Sequence, residues 1–243
     1  MNKSTGKLLK MGDKINPDDQ LKFLSSDAAA ILMSSKRGRF VVKPTVTKGD
    51  ENELLVYVKN VILPVKSVGT LSTRGDDETD SGIIDLKNYF GSDKFVVIGD
   101  KLSIKVNTDI YPINNNKFFI YRYEYGGKAI SKKIPAEGNT IIFDKNILYQ
   151  SANGSIPSES IENVDIYLFD QNTKVSSLIT KINPLYLPEN VIKEELKVQY
   201  DIFTSQNLTK DEILKELTAY INDIYGKTDT QALATIIKSF ESK

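Results

Sequence analysis

The densest set of chemistry-bearing side chains is acidic: Asp76, Asp77, Glu78 and Asp80 fall within residues 72–82, STRGDDETDSG. Hard cations such as calcium take oxygen ligands, so carboxylates this close could gather round one, but their spacing does not match the EF-hand loop. A solvated acidic loop is the plainer reading, and no metal ligand is assigned. Arg74-Gly75-Asp76 spells the tripeptide read by integrins, in a chain without a secretion signal. The basic counterpart is Lys36, Arg37 and Arg39, with Phe40 beside them as a ring that could stack on a base. Lys plus Arg and Asp plus Glu each number 32, so no global field favours a nucleic acid, and the turn reads as solvated hairpin residues. A third constellation is aromatic: Phe119, Tyr121, Tyr123 and Tyr125 recur at every second position. They could form a stacking platform for sugars or bases; packing against a second sheet is the commoner use of such residues.

The missing side chains restrict the chemistry further. There is no histidine and no cysteine. Serine–histidine triads, histidine–zinc hydrolases, haem–histidine sites, thiolate metal sites, cysteine nucleophiles and disulfide frameworks are therefore excluded. Carboxylate, tyrosine and lysine chemistry is what remains. Gly126-Gly127 has no phosphate-binding motif after it, and no Walker, Rossmann or nucleophile-elbow pattern occurs. No catalytic residue and no cofactor is assigned.

The elements that would carry these residues are mostly strands. In residues 117–125 the aromatic set falls on one face, with Phe118, Ile120, Arg122 and Glu124 on the other. Gly126-Gly127 supplies the two positive φ values of a tight hairpin, so 128–134 should fold back beside that strand, and 139–143 can add a third. Leu102, Ile104 and Val106 alternate cleanly after a Gly99-Asp100 turn. Residues 95–98 and 164–169 read as strands, 147–149 as a short one, and 175–182 as a partner for 164–169. Residues 72–82 mark a boundary.

From Pro184 the texture becomes helical. Val191, Ile192, Leu196, Tyr200 and Phe203 follow at helical intervals, and Thr209 with Glu212 forms a capping box. The helix after it carries Ile213, Leu217, Tyr220, Ile221 and Ile224 and should stop at Gly226; a second, capped by Thr228 or Asp229, carries Leu233, Ile236, Ile237 and Phe240. A two-helix hairpin has one mutual seam, so part of these nine residues must face a third body, which is the preceding helix around Val191 to Phe203, the β part of the chain or a partner; they are the candidate partner-binding residues.

Residues 6–44 carry a resemblance. The run GKLLKMGDKINPDDQLKFLSSDAAAILMSSKRGRFVVKP is similar to FecR-type β domains, in which a glycine-aspartate turn, a short strand, an alanine-bearing strand and a glycine turn recur in this order. In that family the module accompanies a membrane anchor and binds protein partners. No run of about eighteen apolar residues occurs here, so the resemblance implies a β binding module, with no functional residue carried over. Arg37-Gly38-Arg39 also resembles part of the phosphopeptide-reading forkhead-associated fold, without its usual histidine.

The expectation is an α+β protein: antiparallel β modules, sandwich- or barrel-like, over 1–72 and 83–182, then a C-terminal helical hairpin or small bundle over 185–243. The expected function is non-catalytic: a cytoplasmic adaptor that binds a protein partner or itself through sheet edges and the terminal helices, without membrane insertion. The alternatives are a structural subunit of a large assembly, such as a phage particle or contractile injection machine, and a carboxylate-dependent enzyme, whose paired acids sequence alone cannot bring together.

Overall fold

The computed structural model describes residues 1–16, 18–25, 28, 30–34, 38–42, 55–57, 78–79, 81–92, 94–151 and 154–241. The chain divides into two compact units, 1–68 and 69–243.

The first unit is built from short antiparallel pairs. Strand β1 (Gln20–Lys22) pairs with β4 (Leu55–Tyr57), and β2 (Ala30–Ser34) with β3 (Gly38–Val42) in a register running from Ala30↔Val42 to Ser34↔Gly38. From Ala30 the alanine-bearing stretch is thus a strand; a helix this short would not repay its nucleation. Leu21 and Val42 are buried, and Asn2 ties down the N-terminal turn by accepting from Ser4 N and donating to Asp19 at 2.8 Å. Lys36 and Arg37 and the apolar run at 61–68 lie outside the described residues.

The second unit opens with β5 (Glu78–Thr79), β6 (Gly82–Ile83) and a short helix α1 (Leu86–Phe90), capped where Asp85 accepts from Asn88 N at 2.9 Å. Asp76, Asp77 and Asp80 lie outside the described residues. Strands β7 (Lys94–Ile98) and β8 (Lys101–Lys105) follow, then the central hairpin of β9 (Lys117–Tyr125) and β10 (Lys128–Lys133). Gly126 and Gly127 sit at φ 57° and 71°, the two positive values of the expected turn. After β11 (Ala136–Glu137) comes β12 (Thr140–Asp144), which corrects the expectation of a third strand on the hairpin: it exists, but pairs with β8 and β11 in a separate sheet. Residues 145–148 form a helical turn, α2 (Lys145–Leu148), in place of the expected strand at 147–149, because Asp144 accepts from Asn146 N at 2.9 Å and caps it. Short β13 (Gln150–Ser151) and β14 (Gly154–Ser155) lead to the long pair β15 (Val164–Asp170) and β16 (Val175–Leu187).

These strands form a six-stranded sheet of order β10-β9-β15-β16-β7-β17, where β17 is Lys227–Thr228, and a three-stranded sheet β11-β12-β8. Phe119, Tyr121, Tyr123, Val164 and Ile166 from the first, and Leu102, Ile104, Ile141 and Phe143 from the second, share one buried cluster. The pairing is antiparallel except at β7, which takes β16 and β17 in parallel.

Strand β16 runs through Pro184, where the sequence suggested a helical texture. Gly99 N donates to Leu187 O, so alternate residues of β16 from Leu187 back turn their backbone groups toward β7. Pro184 is out of phase with them and lies past the last β15 pair, Val164↔Ile182, so no ladder partner needs its absent N–H.

Three helices complete the unit: α3 (Glu189–Ser205), α4 (Lys210–Ile224) and α5 (Thr230–Glu241), each in contact with the other two. The Thr209–Glu212 capping box is present, and Asp229 rather than Thr228 caps α5, accepting from Ala232 N at 2.6 Å. Because β17 lies between α4 and α5 and pairs with β7, the helices are stitched to the sheet. The fold is α+β, and no helix among the described residues is long and apolar enough to cross a membrane.

Candidate functional site

Strand β10 offers an exposed main-chain edge in the second unit. It pairs with β9 from Lys128↔Tyr125 to Lys133↔Ile120 without a bulge, and it ends the sheet. Ile134 N donates to Phe119 O, which sets the phase: Lys128, Ile130 and Lys132 turn their N–H and C=O inward to β9, and Ala129, Ser131 and Lys133 turn theirs outward. Those three residues are exposed, and no described residue hydrogen-bonds to their main chain. No proline interrupts the strand.

Side chains on the two faces differ. On the inner face Ile130 packs against the core cluster, flanked by exposed Lys128 and half-buried Lys132. The outer face continues across the sheet as a row, Lys133–Ile120–Tyr167–Leu178, beside Phe118 and Phe169, whose rings lie 5.4 Å apart. Lys133 Nζ stands 4.3 Å over the Phe118 ring, and Leu178 is 48% exposed. Arg122, on the same face, is exposed. Asp165, its cross-strand neighbour, is taken by Lys181 at 3.3 Å and by the Tyr167 hydroxyl at 3.2 Å. Lys117 is paired with Asp170 at 3.4 Å. That leaves Arg122, Lys128, Lys132 and Lys133 without an ion-paired acid among the described residues.

A second free edge exists on residues 175–181 of β16, since β7 pairs only with 183–187. Its register shifts between Ile166 and Tyr167 of its partner, so its outward groups do not form an unbroken ladder.

The helical residues are placed differently. Ile213, Leu217, Tyr220, Ile221, Leu233, Ile236 and Ile237 are buried within the unit; Ile224 and Phe240 are half-buried, the latter 5.5 Å ring to ring from Tyr200 of α3. The third body that the two-helix stripe requires therefore includes α3. Sequence periodicity also missed a polar clamp there: buried Glu195 accepts from the Tyr220 hydroxyl and, at 2.8 Å, from the Tyr225 hydroxyl. Desolvation, then the neighbouring Glu195 carboxylate, pushes Tyr225 up to about 12.

The aromatic strand is core. Phe119, Tyr121 and Tyr123 are buried, Tyr125 is 42% exposed, and the Tyr121 and Tyr149 hydroxyls meet at 2.6 Å. Burial drives Tyr121, Tyr149 and Tyr186 well above the ordinary tyrosine range. Tyr186 lines an open groove of about 290 Å³ with Gly99, Asp100, Lys145 and Glu189. Both of its acids are exposed, and Glu189 is ion-paired with Lys193 at 2.5 Å. Among the described residues no group of three acids is placed to hold a metal ion.

No protein-family model and no curated protein matches this chain.

Proposed function

We propose that the protein is a non-catalytic binding protein that holds a partner by letting an extended segment of it join the six-stranded sheet beside β10. The observation that carries this reading is the unbroken outward ladder of Ala129, Ser131 and Lys133, exposed and without a partner among the described residues. An added strand satisfies those groups and gains main-chain hydrogen bonds, while alternate side-chain contacts give selectivity. On this reading the first unit, whose resemblance is to FecR-type modules, is a second β binding module. The helices act as scaffold, since seven of their nine candidate residues are buried. The protein then works in the cytoplasm or in an assembly built there.

A structural subunit exchanging strands between copies would use the same edge. Two β10 strands paired antiparallel would oppose residues drawn from a segment with lysines at 128, 132 and 133, and like charges directly opposite are unfavourable. The adaptor reading is therefore the stronger of the two.

The test is selection from a displayed library of extended peptides on the full-length chain and on its Ser131→Pro variant. Proline at 131 removes an outward N–H and no ladder bond, so the sheet should persist. The parent should enrich related peptides that the variant, melting like the parent, no longer holds. Enrichment of nothing, or of peptides indifferent to Ser131→Pro, would defeat the reading.

A further inference from the structure

We infer that the segment taken up beside β10 is acidic, with an apolar residue at its centre and carboxylates two positions to either side. The inference rests on the strand-addition reading and adds the chemistry of the partner.

The register dictates it. Ala129, Ser131 and Lys133 point their backbone groups outward, so they would form the hydrogen-bonded pairs with an incoming antiparallel strand. Lys128, Ile130 and Lys132 would then form the non-hydrogen-bonded pairs, where facing side chains approach most closely. The three positions of the partner that matter most therefore face a cation, an isoleucine and a cation. Ile130 already packs against the core, so an apolar residue opposite it extends that surface. Carboxylates opposite Lys128 and Lys132 supply counter-charges that no described residue provides. On the other face exposed Arg122 and Glu124, one strand in from the edge, carry opposite charges, and Lys133 is committed to the Phe118 ring, so the selectivity for acids rests on the inner face.

The same lysines exclude competitors. A second copy paired with Ile130 opposite Ile130 would bring Lys128 against Lys132, and lysine on an edge strand is a common device against self-pairing. The β16 edge carries Lys181 already paired to Asp165, and its register shift breaks the ladder. A nucleic acid could satisfy the cations but would leave the outward main-chain groups and Ile130 without a matching surface.

The probe is a fluorescein-labelled acetyl-Thr-Glu-Thr-Val-Thr-Glu-Thr-amide, compared with versions carrying glutamine or lysine in place of both glutamates. Binding to the full-length chain is followed by anisotropy up to millimolar protein. The glutamate peptide should bind about tenfold tighter than the glutamine peptide, the effect of two cross-strand ion pairs, and weaken with added salt. A Lys128→Glu/Lys132→Glu double variant should reverse the order in favour of the lysine peptide, and Ser131→Pro should abolish binding of both. Equal affinity for all three peptides with loss in Ser131→Pro would overturn the acidic assignment and leave strand addition standing. Binding untouched by Ser131→Pro, or no binding by any of the peptides, would overturn both. Displacement of the glutamate peptide by equimolar oligothymidylate would make the edge a nucleic-acid surface and overturn the inference.

Discussion

Replacing Gly226 by alanine should be among the most damaging single-methyl changes in the second unit. Gly226 links α4 to β17 at φ 123°, and a Cβ there would lie 2.3 Å from the Lys94 carbonyl oxygen and 2.8 Å from Lys94 Cβ. The backbone conformation alone costs a non-glycine residue about 1–3 kcal/mol. Relieving the overlap needs β17 to retreat from β7 by most of an ångström, which loosens the Lys227↔Phe95 and Thr228↔Val96 pairs and the 3.1 Å bond from Thr228 Oγ1 to Val96 O. At about 1 kcal/mol for that bond, the total is about 2–4 kcal/mol. With a urea slope of about 2 kcal/mol per molar, the midpoint should fall by about 1–2 M. Tyrosine fluorescence reports the unit directly, since every tyrosine except Tyr57 lies in 69–243. Gly126→Ala is the control: its φ is also positive, at 57°, but nothing lies within 4 Å, so only about 1–2 kcal/mol is lost. If the two variants unfold at the same urea concentration, β17 does not hold the helices to the sheet as described.

Other consequences are open to measurement. Glu195→Leu removes the acceptor that the Tyr220 and Tyr225 hydroxyls share and should cost about 1–3 kcal/mol in all; adding Tyr220→Phe and Tyr225→Phe should recover part of it, and a triple variant no better than the single would contradict the clamp. Valine at both Gly126 and Gly127 forces two β-branched residues to positive φ and should lower stability by about 2–4 kcal/mol in the same urea assay; an unchanged midpoint would place the turn elsewhere. Tyr121, Tyr149 and Tyr186 are raised above the unfolded value of 10.0, and Tyr225 reaches about 12. The unfolded chain therefore releases these protons first, so the contribution is complete below pH 10 and is lost as pH rises past it. Melting temperature should fall above that pH while phenolate absorbance lags behind the exposed tyrosines; full ionisation of the folded protein in one step at 10 would contradict the burial.

The sequence made local geometry legible and left pairing hidden. Leu102 and Ile104 alternate because β8 buries one face, and the turn at Gly126-Gly127 follows from a need for two positive φ values; both are local facts. The capping box at Thr209 is likewise written in four residues. What could not be read is which strands meet. The apolar run Ile141-Ile142-Phe143 specifies a buried strand equally well on β10 or on β8, and β7 shows no sign of its parallel partners, the nearer of them 89 residues away. The helical turn at Lys145–Leu148 was obscured because Ile147 and Leu148 suit either state, and Asp144, at the end of a strand, decides by capping. The nine helical residues were found as an apolar stripe, but the stripe does not decide among the preceding helix, the β part and a partner as its cover; α3 packs against both helices. The lysines of β10 were likewise visible in the hairpin. Their edge position depends on the order of the sheet, which is a property of the whole unit.

The measurement closest to the central claim is amide hydrogen exchange, residue by residue, with and without a peptide selected on the parent protein. In the free protein the outward amides of Ala129, Ser131 and Lys133 should exchange fast, while those of Ile130 and Lys132, bonded to β9, are slow. Saturating peptide should slow the three outward amides at least about tenfold, as new ladder bonds form, and leave the inward pair nearly unchanged. Protection that appears on β16 or on the helices, with Ala129, Ser131 and Lys133 still fast, would show that the partner is held somewhere other than the β10 edge.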